Sequence, residues 1–239
     1  MRVRYLVKFT KESNIKFISH LDLMRTIQKV IKRSELPIEY SQGFNPHMSI
    51  SLSQPLSVGM FSKGEYMDIN LSEDLEPMHI KEKLNENSPS GIKFINVVKL
   101  NKEGKDGKKI PQSMAAVDAA RYSIRIKYND TKDLDGEIKK IFNMEEWKVI
   151  KKGKSGEKEV DIKPMLKKIQ YEIEEDVLSM NVLVSCGSRE NLSADILSKF
   201  ILENTTDGNK DAFVLIEREE TYGRLNNKLL PLDECLGKM

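Results

Sequence analysis

From Val3 to Phe9, the apolar residues Val3, Tyr5, Val7 and Phe9 alternate with Arg4, Leu6 and Lys8, the period-two pattern of a half-buried strand. The period then changes. Ser19, with Asp22 three residues on, makes a capping-box-like helix start. Leu23, Met24, Ile27, Val30 and Ile31 follow at helical spacing until Pro37 blocks continuation. After a polar loop carrying Gly43, Asn45 and Pro46, strands are predicted over Met48 to Leu52 and Tyr66 to Leu71, a helix over Pro77 to Asn87, and a strand over Ile92 to Leu100. The order strand–helix–strand–strand–helix–strand is the split βαβ of a ferredoxin-like domain, an antiparallel sheet with both helices on one face.

The stretch Asn101 to Pro111 loses all apolar periodicity and is rich in Gly and Lys, as expected of a linker. Beyond it the pattern predicts strands over Arg121 to Tyr128, from Trp147 to Ile150, over Val177 to Val184 and over Phe213 to Ile216. Helices are predicted over Leu134 to Phe142 and Leu192 to Ile201, with an exposed turn over Lys151 to Lys158. The expected organisation is therefore α+β, with two ferredoxin-like domains in tandem. Residues 1–100 form the first, 101–112 the linker and 113–239 the second with its tail.

Composition narrows the class. With 39% apolar and 32% charged residues among 239, the chain can bury a core beneath a charged surface. The N-terminal MRVRYLVKFTKE has no apolar signal region, and no stretch approaches the ~20 apolar residues that span a bilayer. A cytoplasmic protein without membrane contact is expected. Cys186 and Cys235 have no metal-ligand spacing, the CxxxCxxC run of a radical SAM cluster is missing, and neither a metal nor a cofactor is expected. The net charge of +2 averages a basic segment before residue 50 and an acidic one over 64 to 86.

Candidate chemistry concentrates near the first helix. Arg25, Lys29, Lys32 and Arg33 project within an arc of roughly 100° opposite the apolar face. That stripe reads either as a solvated exterior or as a surface that neutralises nucleic-acid phosphates. In the loop Tyr40 to His47, Gly43, Asn45 and Pro46 favour a tight turn, and Phe44 either packs or offers a face for base stacking. His20 and His47 flank this helix and loop. If close, they could exchange protons as general acid and base; the alternative is capping or hydrogen bonding within the fold. His79 reads as surface. Ser185 to Arg189, between a strand and a helix, lacks P-loop spacing and reads as an ordinary turn. Lys148, Lys151, Lys152, Lys154 and Lys158 either extend a basic surface or serve solubility.

The run Phe17-Ile18-Ser19-His20-Leu21-Asp22-Leu23-Met24-Arg25, the loop Gly43-Phe44-Asn45-Pro46-His47, the segment Pro55-Leu56-Ser57-Val58-Gly59 and the strand Glu65-Tyr66-Met67-Asp68-Ile69 together resemble the radical SAM-associated family of unknown function. Weaker echoes lie at Asp161-Ile162-Lys163-Pro164 and Ile216-Glu217-Arg218. The resemblance implies an accessory protein that works with a separately encoded radical SAM enzyme, in RNA modification or maturation, with RNA as a further partner. A protein-only adaptor without a nucleic-acid ligand is an alternative. The expected fold also resembles that of the CRISPR repeat-processing endoribonucleases, which cleave RNA without metal. By that analogy Tyr40, His47 and a nearby lysine would be the acid–base candidates.

Overall fold

In the computed structural model, which describes residues 2–104, 107–153 and 156–239, the chain is a mixed α+β protein with a mostly antiparallel strand arrangement. It divides into two compact units. The first joins Met1–Ala119 to Arg218–Met239, and the second is Ala120–Glu217. The boundaries thus fall inside strands rather than in the Asn101 to Pro111 stretch, and the division differs from the linear one expected.

In the first unit, strand β1 (Val3–Lys11) leads through a short 3-10 turn into helix α1 (His20–Arg33). Helix α1 starts where the sequence places its cap: the Asp22 amide donates to Ser19 Oγ at 3.2 Å, and the Ser19 hydroxyl donates back to Asp22 Oδ2 at 2.7 Å. Leu23, Ile27, Val30 and Ile31 are its buried face. Strands β2 (Ile50–Leu52) and β3 (Phe61–Leu71), helix α2 (Pro77–Glu86) and strand β4 (Phe94–Leu100) follow. Strand β1 lies between β3 and β4, antiparallel to both, with Val7 opposite Met67 on one side and Val97 on the other. Strand β2 adds antiparallel to β3 through Ile50 and Ile69. Apolar side chains of β1, β3 and β4 pack beneath α1 and α2 as a core including Tyr5, Phe9, Ile27, Ile69, Ile80 and Phe94.

The expected linker is docked onto this unit. Arg4 donates to the carbonyls of Ile110 and Pro111, Ile110 is buried, and the Ser113 amide and hydroxyl both donate to Asp68 Oδ2, at 2.9 and 2.7 Å. Lack of periodicity therefore marks an irregular but anchored segment. Lys105 and Asp106 of that stretch lie outside the described residues. Ser113 opens the short helix α3 (Ser113–Ala116), from which strand β5 (Val117–Lys127) carries the chain into the second unit.

That unit contains helix α4 (Leu134–Asn143), a hairpin of β6 (Lys148–Gly153) and β7 (Gly156–Asp161), strands β8 (Leu166–Glu174) and β9 (Val177–Ser185), and helix α5 (Ala194–Glu203). Strand β9 lies between β5 and β8. The exposed turn expected over Lys151 to Lys158 is the paired end of this hairpin, with Lys151 opposite Lys158. Lys154 and the side chain of Lys152 lie outside the described residues. Strand β8 was not among the expected strands, although Ile169, Tyr171 and Ile173 alternate in it with exposed Gln170, Glu172 and Glu174. Asp161 Oδ1 accepts from the Trp147 and Lys163 amides at 2.8 and 3.0 Å, which pins the hairpin over Trp147. The indole stacks on Phe142 and Phe200. Strand β10 (Leu215–Leu225), far longer than the expected Phe213 to Ile216, returns the chain to the first unit, which closes with β11 (Lys228–Pro231) and α6 (Leu232–Lys238).

Among the described residues no helix is long and apolar enough to cross a membrane, and no group of three or more His, Cys, Asp or Glu is placed to share a metal ion.

Candidate functional site

The solvent face of α1 and the loop that follows it enclose an open pocket of about 300 Å³. Arg25, Gln28, Lys29 and Lys32 form one wall, and Tyr40, Pro46, His47 and Met48 the other. Helical geometry supplies the first wall, because residues three and four apart stack along one face. The second wall is a closed loop. Tyr40 bridges Met48 across its base, the Ser41 amide donates to the His47 carbonyl at 2.8 Å, and the His47 amide donates to Ser41 Oγ at 2.9 Å. Gly43 turns the chain at a φ of +123°, with open space where a Cβ would be. Glycine is required there by the backbone and not by crowding.

No carboxylate lines the pocket. Arg25 Nη1 contacts Asp22 at 3.1 Å, which leaves the rest of its guanidinium for a ligand. Among the described residues Lys29 and Lys32 have no anionic partner. The Asp22 carboxyl is held below the usual range, first by the Ser19 hydroxyl and then by Arg25. The pocket is thus a cationic wall facing an aromatic and imidazole wall.

The structure brings five of the sequence candidates together: Arg25, Lys29, Lys32, Tyr40 and His47. Two others stand apart. Arg33, at the edge of the cationic arc, donates to the Asn87 carbonyl at 2.8 Å and does not line the pocket. His20 occupies the first position of α1, also outside the lining, and its buried Nδ1 has no hydrogen-bond partner among the described residues. Phe44 projects fully into solvent at the loop tip. His79 is exposed on α2.

Of the remaining motif residues, Phe17, Leu21 and Val58 are exposed, whereas Glu65, Tyr66 and Arg218 are buried and hold the architecture. Arg218 Nη1 donates to Glu65 Oε1 at 2.8 Å and to the Gln54 carbonyl at 3.0 Å, while Nη2 donates to the Pro55 carbonyl at 3.2 Å. Both members of this ion pair are buried, in agreement with a pair retained only because its hydrogen bonds are supplied. Beside it Lys11, only 1% exposed, donates to the carbonyls of Lys16 and Ile18 at 2.9 and 3.2 Å, fixing the approach to α1. Burial pushes the Lys11 ammonium below its usual range, opposed by Glu65. The Tyr66 hydroxyl lies 2.8 Å from Glu220 Oε1 and 3.0 Å from Asp233 Oδ1, and burial followed by these two carboxylates holds it far above its ordinary range. Glu65 and Arg218 both stand in the motif segments, but Arg218 lies among Glu217, Glu219 and Glu220, and no local signal marks the two as a buried pair.

Residues 4–194 match the bacterial family described as an uncharacterized protein conserved in bacteria (DUF2344), and the chain belongs to that family. No curated protein matches the chain. Among solved structures, a crystal structure of an unknown protein from Galdieria sulphuraria aligns over 92% of this chain and 98% of that one, with 10% identity and a TM-score of 0.27.

Proposed function

We propose that this protein is a non-catalytic RNA-binding or substrate-presenting accessory that works in the cytoplasm with a separately encoded radical SAM enzyme, in RNA modification or maturation. The observation that carries the reading is the pocket in which Arg25, Lys29 and Lys32 face Tyr40 and His47 with no lining carboxylate. Cations on one side suit phosphates, and aromatic or imidazole rings on the other suit bases. The radical SAM association rests on the resemblance of the SHLD and GFNPH motifs, which supply both walls or their supports. The order β4-β1-β3 with β2 on the far side of β3 supports a ferredoxin-like reading of the first unit, and the tandem arrangement of two such domains belongs to the same proposal.

The test is binding of RNA across a salt series, by wild type and by a variant with Arg25, Lys29 and Lys32 all changed to Gln. Three phosphate contacts contribute a salt slope of about −2 on single strands, so the variant should bind at least tenfold more weakly at low salt and with a shallower slope. Equal affinity and slope would remove this face from RNA binding.

A second reading, metal-independent RNA cleavage, is favoured by the presence of Tyr40 and His47 on the same pocket. It requires RNA turnover by pure protein in EDTA that is lost in His47→Ala. Intact RNA after prolonged incubation would overturn it.

A further inference from the structure

We infer that Phe44 is a base-stacking side chain and that the pocket selects unpaired RNA over duplex, an inference that rests on the nucleic-acid reading above. Phe44 is wholly exposed, and among the described residues no ring or cation contacts it. An apolar ring left in water contributes nothing to packing. Yet the loop that carries it is fastened, by the bridge between Tyr40 and Met48 and by the two Ser41–His47 hydrogen bonds. Gly43, at a φ open to glycine, turns the chain immediately before the ring. The ring is therefore held out to solvent at the tip of a loop whose root is fixed.

The same loop supplies Pro46 and His47 to the pocket wall, and Tyr40 at its root is itself 45% exposed. A strand whose phosphates lie on Arg25, Lys29 and Lys32 passes between that cationic wall and these rings. The absence of lining carboxylates makes an anion the complementary occupant. In a duplex the base faces are already stacked on one another, so a ring without hydrogen-bonding groups has nothing to read. In a single strand each base has a free π-face.

Full-length wild type, Phe44→Ala and Phe44→Tyr would be titrated with a fluorescent oligouridine of roughly ten nucleotides and with an RNA duplex of the same length. Wild type should prefer the single strand. Phe44→Ala should lose about tenfold on the single strand with the duplex unchanged, and Phe44→Tyr should restore it. Equal binding of strand and duplex by wild type, or an unchanged single-strand affinity in Phe44→Ala, would overturn the inference while leaving backbone binding by the α1 face intact. Failure of wild type to bind either RNA would instead remove the nucleic-acid reading on which it rests.

Discussion

Two charged regions of the first unit face opposite demands. Around Arg218, Glu65 and Lys11 every cation is met by a carboxylate or a carbonyl and shut away from water. At the α1 pocket, Lys29 and Lys32 stand in solvent without an anionic partner among the described residues. Buried charge is tolerated only when its hydrogen bonds are complete, and it then holds segments in place. Exposed, unpaired charge adds little to stability and is free to meet a ligand. The difference separates residues that build the site from residues that use it.

The comparison breaks most readily at the ion pair. Arg218→Met leaves Glu65 buried without its partner and should cost about 3–5 kcal/mol by chemical denaturation, with much of the loss recovered in Arg218→Met/Glu65→Leu. A loss below about 1 kcal/mol would show that water reaches Glu65 and that the two regions do not differ in kind. A pH series sharpens the same side. Because the folded state holds the Tyr66 proton more tightly than the unfolded chain does, its contribution is intact below the ordinary tyrosine pKa of 10.0 and is lost as pH rises above it. Stability should fall there with a component of about 1.4 kcal/mol per pH unit that Tyr66→Phe lacks. Identical alkaline slopes for the two proteins would count against this account.

Two glycines test the contrast in packing. A Cβ on Gly64 would lie 2.7 Å from the Glu220 Cα, whereas one on Gly43 would meet nothing within 4 Å. Gly64→Ala should therefore cost about 2 kcal/mol through overpacking, and Gly43→Ala about 1 kcal/mol through backbone strain alone, as melting curves would report. The smallest effect is expected for the Arg25, Lys29 and Lys32 triple Gln variant, whose stability should stay within about 0.5 kcal/mol of wild type. A larger loss would mean that the pocket cations hold the fold as well as a ligand.

Much of the first unit was legible in the sequence because its signals are local. Ser19 and Asp22 mark a helix start, Pro37 a stop, and the apolar spacing between them a buried face. The pocket was legible in part for the same reason, since Arg25, Lys29 and Lys32 share a helical stripe and Tyr40 to His47 lie only a loop away. Non-local partnerships were not. Nothing near Arg33 announces the Asn87 carbonyl, and nothing near Glu65 announces Arg218, 153 residues on. The anchoring of Ile110 and Ser113 was hidden likewise, because a docked irregular segment carries no period for a pattern to reveal. Strand β8, by contrast, was legible and overlooked: Ile169, Tyr171 and Ile173 alternate with Gln170, Glu172 and Glu174, the pattern of a half-buried strand.

The interruption of the first unit by Ala120–Glu217 bears on how the chain is made. At about 5–20 residues per second, a ribosome that has released Glu65 needs roughly 8–30 s to deliver Arg218. Throughout that interval Glu65 must stay hydrated, and the part of β3 that β10 will cover presents an unpaired edge, the kind of surface on which nascent chains aggregate. The inserted unit, whole by Glu217, can fold while the earlier one waits. The segment synthesised first is therefore among the last to be finished, and ribosome-bound intermediates lacking Arg218–Met239 should be the species that chaperones hold.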